Sequence, residues 1–79
     1  MKWVTYYWSI IGGVQDVVVH KDRATATRYF QRNHRLYFTI NTPFKAKLPC
    51  RYGFSHRGFC GETKTAFEKK WGKLEGGEK

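Results

Sequence analysis

Residues 2–20, KWVTYYWSIIGGVQDVVVH, decide the fold of this chain. Residues 2–10 and 14–20 are rich in β-branched and aromatic side chains, which favour extended strands. Between them lies Gly12-Gly13, a two-residue turn signal, because glycine adopts the positive φ angles that a tight hairpin needs. The stretch therefore predicts an antiparallel β-hairpin.

The first predicted strand carries large rings on both faces. Side chains alternate along a strand, so one face holds Val4, Tyr6, Trp8 and Ile10, and the other holds Trp3, Thr5, Tyr7 and Ser9. A strand of this kind either lies in the centre of a sheet or presents Trp3 and Tyr7 outward.

A helix is predicted over residues 23–33, with Asp22 as its N-cap and Asn33 near its end. At 100° per residue, Ala26, Tyr29 and Phe30 fall on one side and Arg28 and Arg32 on the other. We expect the apolar side to pack on the sheet and the arginines to face solvent. A third strand follows over residues 35–41, in which Leu36, Phe38 and Ile40 alternate toward the core.

Proline and glycine occur repeatedly in the remainder of the chain and interrupt its regular patterns. Residues 42–61 contain short strand-like pieces at 45–48 and 51–54, which could form a second hairpin. An irregular stretch of this length is often functional. Thr63 could cap a last helix over residues 64–74, whose apolar stripe consists of Ala66, Phe67, Trp71 and Leu74.

These elements predict a single domain over residues 1–79, in which residues 75–79 are a frayed tail. The order is β-β-α-β-(β-β)-α. It indicates an α+β fold with a small antiparallel or mixed sheet and two helices packed on it, which we expect to share one face.

Positive charge is concentrated in the middle of the chain. Residues 21–57 hold nine basic residues, including all six arginines, and a single acid, Asp22, so this window carries +8 of the formal charge of +9. Residues 1–20 are neutral overall and residues 58–79 carry +1. Guanidinium groups match phosphate and carboxylate with two parallel hydrogen bonds, so such a field indicates a polyanionic partner.

Aromatic rings are interleaved with these cations, a combination that suits nucleic acid because cations bind phosphates and ring planes stack on unpaired bases. Residues 51–61, RYGFSHRGFCG, add glycines that let a ligand approach the backbone closely. The chain matches no standard recognition motif. We predict a non-enzymatic binding protein whose polyanion-binding residues are Arg23, Arg28, Arg32, Arg35, Lys45, Lys47, Arg51, Tyr52, His56 and Arg57.

No cofactor or metal is expected. Cys50 and Cys60, even with His56 and another histidine, lack the paired spacing of a zinc site. The start of the chain does not resemble a secretory signal and no apolar run is long enough to span a membrane. We therefore expect a cytoplasmic protein with reduced cysteines, without excluding a disulfide.

Two other functions remain open. In size and aromatic density the chain resembles the small accessory proteins of phages and mobile elements, which implies an anti-CRISPR-like inhibitor in the host cytoplasm. A metal-free ribonuclease of the toxin type could use His34, His56, Tyr52 and Arg57. The expected partner is nucleic acid or a nucleoprotein complex, with a host protein as the alternative.

Overall fold

The computed structural model describes residues 1–36, 39–57 and 61–72. Its elements in chain order are β1 Lys2–Ser9, β2 Gly13–His20, α1 Arg23–Asn33, β3 Phe44–Ala46, β4 Ser55–His56 and α2 Lys64–Trp71. The strands form one antiparallel sheet in the order β3-β1-β2-β4, so the predicted α+β class is confirmed. Neither of these helices is long and apolar enough to cross a membrane.

The predicted hairpin forms, but its loop consists of residues 10–12 rather than Gly12-Gly13, because Gly13 already pairs with Ser9 as the first residue of β2. Of the two glycines only Gly13 has a positive φ.

The strand pairing also contains an irregularity that the sequence does not predict. Tyr7 pairs with Asp16 but Trp8 pairs with Val14, so Gln15 is an extra residue in β2. Such a bulge shifts the alternation of side chains by one residue. It brings Val14 to the same face as Val17, and both are completely buried.

The two helices lie on opposite faces of the sheet. Tyr6 packs on Phe67 of α2 with 4.7 Å between ring centroids, whereas the Tyr7 hydroxyl lies 2.7 Å from the Tyr29 hydroxyl of α1. Neighbouring side chains on a strand point to opposite faces, so each tyrosine reaches a different helix. The prediction that both helices share one face is therefore wrong, because both faces of β1 carry large side chains that need covering.

Helix α1 begins where the sequence predicts. The Asp22 side chain caps it by accepting the Thr25 N–H at 2.8 Å. Ala26 is buried against the sheet, while Tyr29 and Phe30 are half-buried.

Within the described part of the predicted third strand, residues 35–36 and 39–41, the strand pairing is limited to a bridge between Ile40 and Tyr7. Residues 34–36 form a turn instead, and Leu36 is 71% exposed rather than in the core. Phe38 lies outside the described residues. Residues 39–46 follow the edge of β1, and Pro43, which has no N–H to donate, lies between the bridge and β3.

The predicted second hairpin does not form. Strand β3 pairs with β1 and β4 pairs with β2, at opposite edges of the sheet, so the chain between them crosses one end of the sheet. The Lys2 ammonium holds this crossing segment by donating to the Leu48 carbonyl at 3.0 Å and to the Cys50 carbonyl. Both Leu48 and Cys50 are buried.

Helix α2 is capped by Thr63 as predicted, but it ends at Trp71 rather than at Leu74, because its C-cap is Gly72, which has a φ of 146°. Phe67 is its fully buried anchor, Trp71 is partly buried, and Ala66 is exposed. Leu74 and the predicted tail at 75–79 lie outside the described residues, as do Phe59 and Cys60.

Two glycines with similar backbone angles allow a test of this packing. Gly13 and Gly53 have φ values of 71° and 83°, but a Cβ at Gly13 would overlap the Glu62 carbonyl oxygen, whereas a Cβ at Gly53 would meet no atom within 4 Å. Gly53→Ala should reduce the free energy of unfolding by about 1–2 kcal/mol through backbone strain alone. Gly13→Ala should cost roughly 1–3 kcal/mol more because of the clash.

Urea denaturation of the two variants measures this difference directly. Equal losses of stability would show that residues 61–62 do not pack against the start of β2.

Candidate nucleic-acid interface

All nine basic residues between positions 21 and 57 are solvent-exposed. The ion pairs of the described residues are Lys64–Glu68 and Lys70–Glu62, both of which involve lysines of α2. Over the same residues, no arginine guanidinium lies within 4 Å of a carboxylate. The positive field of the central segment is thus not neutralised by these acids.

Two cations that are far apart in the sequence lie close to the Trp3 ring. The Arg23 guanidinium lies 5.8 Å from its ring centroid and the Lys45 ammonium lies 5.6 Å away. Arg23 begins α1, and Lys45 is the register partner of Trp3 in β3. Cations at this distance from an indole ring are attracted to it by about 0.5–1 kcal/mol at exposed sites.

The segment that crosses the end of the sheet adds two further ring–cation pairs. The Arg51 guanidinium lies 4.7 Å from the Phe54 ring centroid, and the Lys2 ammonium lies 5.6 Å from that of Tyr52. Tyr52 is 50% exposed and Phe54 is 53% exposed, so Phe54 does not belong to the core.

These pairs lie at the same end of the sheet. Gly53 donates its N–H to the Val19 carbonyl at 2.7 Å, next to His20, the register partner of Trp3. A cavity of about 180 Å³ lies between the crossing segment and α1, lined by His20, Lys21, Thr25, Tyr52 and Gly53. We call this surface the basic–aromatic end; its members are Lys2, Trp3, Arg23, Lys45, Arg51, Tyr52 and Phe54.

The other predicted cations lie outside this surface. Arg28 and Arg32 are exposed on α1 and line a shallow cavity of about 160 Å³ together with Thr25 and Tyr29. Arg35 and Lys47 are exposed beyond the ends of α1 and β3.

Arg51 and Arg57 do not form one patch. Arg57 lines a separate cavity of about 490 Å³ whose other walls include Tyr7, Ser9 and Asp16, near the far end of β1. Five residues of strand separate Trp3 from Trp8, or about 16 Å. His56 is half-buried on β4, with its Nε2 3.4 Å from the Arg51 carbonyl.

The four residues considered for ribonuclease chemistry are dispersed. His34 Nδ1 lies 3.0 Å from the Gln31 carbonyl at the end of α1, and His56 belongs to β4. Tyr52 and Arg57 line different cavities.

No three histidine, cysteine or carboxylate side chains of residues 1–36, 39–57 and 61–72 lie close enough together to hold a metal ion. Within these ranges Cys50 is a buried free thiol, and its burial raises its pKa. Cys60, its partner in the alternatives considered from the sequence, falls outside them.

Comparisons of the chain with protein-family models, with curated proteins and with solved structures found no match.

Sequence reasoning did not include Lys2, Trp3 and Phe54 in the site. The sequence feature that pointed to Trp3 was the presence of rings on both faces of β1. That pattern fits a Trp3 side chain that is covered by the rest of the fold as well as one that faces solvent. The pairing of Trp3 with Lys45 depends on which edge of the sheet β3 occupies, and no local pattern specifies that.

His20 and Thr5 form a buried polar pair beneath this surface. His20 is 4% exposed, its Nε2 lies 2.9 Å from the Thr5 hydroxyl, and its ring lies 5.1 Å from that of Tyr29. Burial lowers the pKa of His20 below its ordinary value of 6.5, although the nearby Asp22 opposes the shift. The folded protein therefore favours the neutral imidazole.

This shift predicts a loss of stability in mild acid. Because the unfolded chain binds a proton at His20 more readily than the folded chain does, the free energy of unfolding should fall as the pH drops below about 6.5. The pKa of Asp22 is also lowered, first by the hydrogen bond that its carboxylate accepts from the Thr25 backbone. The contribution of Asp22 to the free energy of unfolding is lost only as the pH falls below the ordinary value of 3.8.

The measurement is urea denaturation at pH 7 and pH 5. His20→Gln should reduce the loss of stability between these two values, because its side chain does not titrate. The control His34→Gln changes an exposed histidine and should keep the full loss. An unchanged pH dependence in His20→Gln would contradict the assignment.

Proposed function

We propose that this chain is a non-enzymatic binding protein for nucleic acid that engages the phosphate backbone through its exposed arginines and lysines. The supporting observation is that every basic residue between positions 21 and 57 is exposed, while no described arginine is ion-paired. Self-repulsion among like charges destabilises a compact state, so a neutralising partner accounts for this arrangement.

Nucleic acid suits this surface better than an acidic protein because cations and rings occur together. Phosphates accept bidentate hydrogen bonds from guanidinium groups, and their neutralisation releases condensed counterions. At the basic–aromatic end, Trp3, Tyr52 and Phe54 each have a cation within 6 Å of the ring centroid. Unpaired bases offer each ring a planar stacking partner next to a phosphate, which a cluster of carboxylates does not offer.

A second candidate function is docking on a host nucleoprotein complex as an anti-CRISPR-like inhibitor. The observation in its favour is the tip of the β1–β2 hairpin, where Ile10 is 89% and Ile11 is 98% exposed. Adjacent large aliphatic side chains in solvent are typical of a protein contact.

The first proposal predicts a specific change in salt dependence. In Arg28→Gln/Arg32→Gln, two exposed cations one turn apart on α1 are neutralised without loss of helix propensity. If each guanidinium contacts one phosphate, the slope of log affinity against log salt should decrease in magnitude by about two units. Affinity should fall by the same factor for different base sequences, because phosphate contacts carry no sequence information.

The matched control is Lys69→Gln/Lys70→Gln, which removes the same charge from exposed positions on α2. Its effect should be clearly smaller, because α2 lies on the opposite face of the sheet. Fluorescence anisotropy with labelled DNA and RNA at several salt concentrations gives both slopes. No saturable binding to any nucleic acid would overturn the proposal, and equal effects of the two pairs would reduce it to non-specific charge attraction.

A further inference from the structure

We propose that the nucleic acid is single-stranded and that its bases stack on the rings of the basic–aromatic end. The inference rests on the proposed function and adds which form of nucleic acid the protein selects. It depends on four cation–ring contacts at three rings: Trp3 with Arg23 and Lys45, Tyr52 with Lys2, and Phe54 with Arg51.

The chemistry of these pairs matches that of an unpaired nucleotide. Each nucleotide of a single strand offers a base plane and a phosphate, and proteins that bind single strands combine stacking rings with a cationic groove. In a duplex the base planes are covered by their neighbours and only the base edges are accessible in the grooves. Exposed rings beside cations therefore gain contacts from a single strand that a duplex does not offer.

Two of the three rings are exposed to a ligand, and Trp3 is partly buried. Tyr52 and Phe54 are about half exposed, and they flank Gly53, where an added Cβ would meet no atom within 4 Å. The crossing segment that carries them is held by bonds from Lys2 and from the Gly53 N–H, so the rings are attached to an anchored backbone. A stacking surface on an anchored segment loses little conformational entropy on binding.

The strand order sets a minimum length for the binding site. Trp3 lies on β1, and Phe54 lies beside β4, two strands away across the sheet. At a strand spacing of about 4.8 Å their backbones are about 10 Å apart. Bases stacked about 3.4 Å apart would therefore need at least roughly three nucleotides to reach both rings.

Binding of twelve-residue oligothymidylate, twelve-residue oligouridylate and a twelve-base-pair duplex at one salt concentration tests the inference. The wild-type chain should bind at least one single strand more tightly than the duplex, and the tighter single strand identifies DNA or RNA as the source. Tyr52→Ala/Phe54→Ala should weaken single-strand binding by about 30-fold or more, since stacking contributes roughly 1–3 kcal/mol per base. The affinity of this double variant for the duplex should change less than twofold.

Two controls keep this result specific. Ile10→Ala/Ile11→Ala removes even more exposed apolar side chains from the other end of the hairpin and should leave single-strand affinity unchanged. Tryptophan emission should be quenched by the single strand in the wild-type chain and in Trp71→Phe, but much less in Trp3→Phe, because only Trp3 belongs to the stacking surface. Thermal unfolding of each variant confirms that it is folded.

The outcomes separate the two proposals. Equal affinity for single strand and duplex, or an equal effect of Tyr52→Ala/Phe54→Ala on both, would overturn the stacking inference while nucleic-acid binding stands. The absence of binding to all three probes would overturn the proposed function itself.

Discussion

Two consecutive tyrosines in the central strand connect the sheet to both helices. Tyr6 is completely buried, packs on Phe67, and donates its hydroxyl hydrogen to the Glu68 carboxylate at 2.6 Å. Burial, followed by this hydrogen bond, raises the pKa of Tyr6, so the phenol stays neutral. The Tyr7 hydroxyl meets that of Tyr29 on the other face. Because hydroxyls removed from water need partners, the buried Tyr6 and the partly buried Tyr7 each help to fix the position of the helix that supplies one.

The edges of the sheet follow from this arrangement. With both faces of the hairpin covered by helices, the unpaired backbone groups lie along the outer edges of β1 and β2, which accept β3 and β4 respectively. The chain must then cross from one edge to the other, and it does so over the end where β1 begins. Lys2 anchors the crossing by bonding to the carbonyls of Leu48 and Cys50. The basic–aromatic end is a consequence of that crossing.

Charge is divided between the two sides of the molecule. The glutamates among the described residues, Glu62 and Glu68, lie around α2 and pair with its lysines. The exposed cations of residues 21–57 occupy α1, the sheet edges and the crossing segment. The described lysines of α2 are mostly paired with these glutamates, whereas the cations of residues 21–57 are not paired with a carboxylate of the described residues. This is the distribution of charge that the proposed binding of a polyanion requires.

Residues close together in sequence determined the hairpin, the two helix starts and the localised positive charge. The glycines between two β-rich segments, the capping side chains of Asp22 and Thr63, and the helical spacing of Ala26 and Tyr29 act over a few residues, so a linear pattern reveals them. The exposure of Arg28 and Arg32 also followed from helical spacing.

Only the tertiary structure decided which residues meet across the chain. The bulge at Gln15, the exposure of Leu36, the separation of Arg51 from Arg57 and the meeting of Arg23 and Lys45 at Trp3 all depend on strand pairing. Short strands such as β3 and β4 have little local preference, so their partners are selected by the edges that the hairpin leaves open. That selection is a property of the whole packed sheet, because it depends on contacts between residues far apart in the sequence.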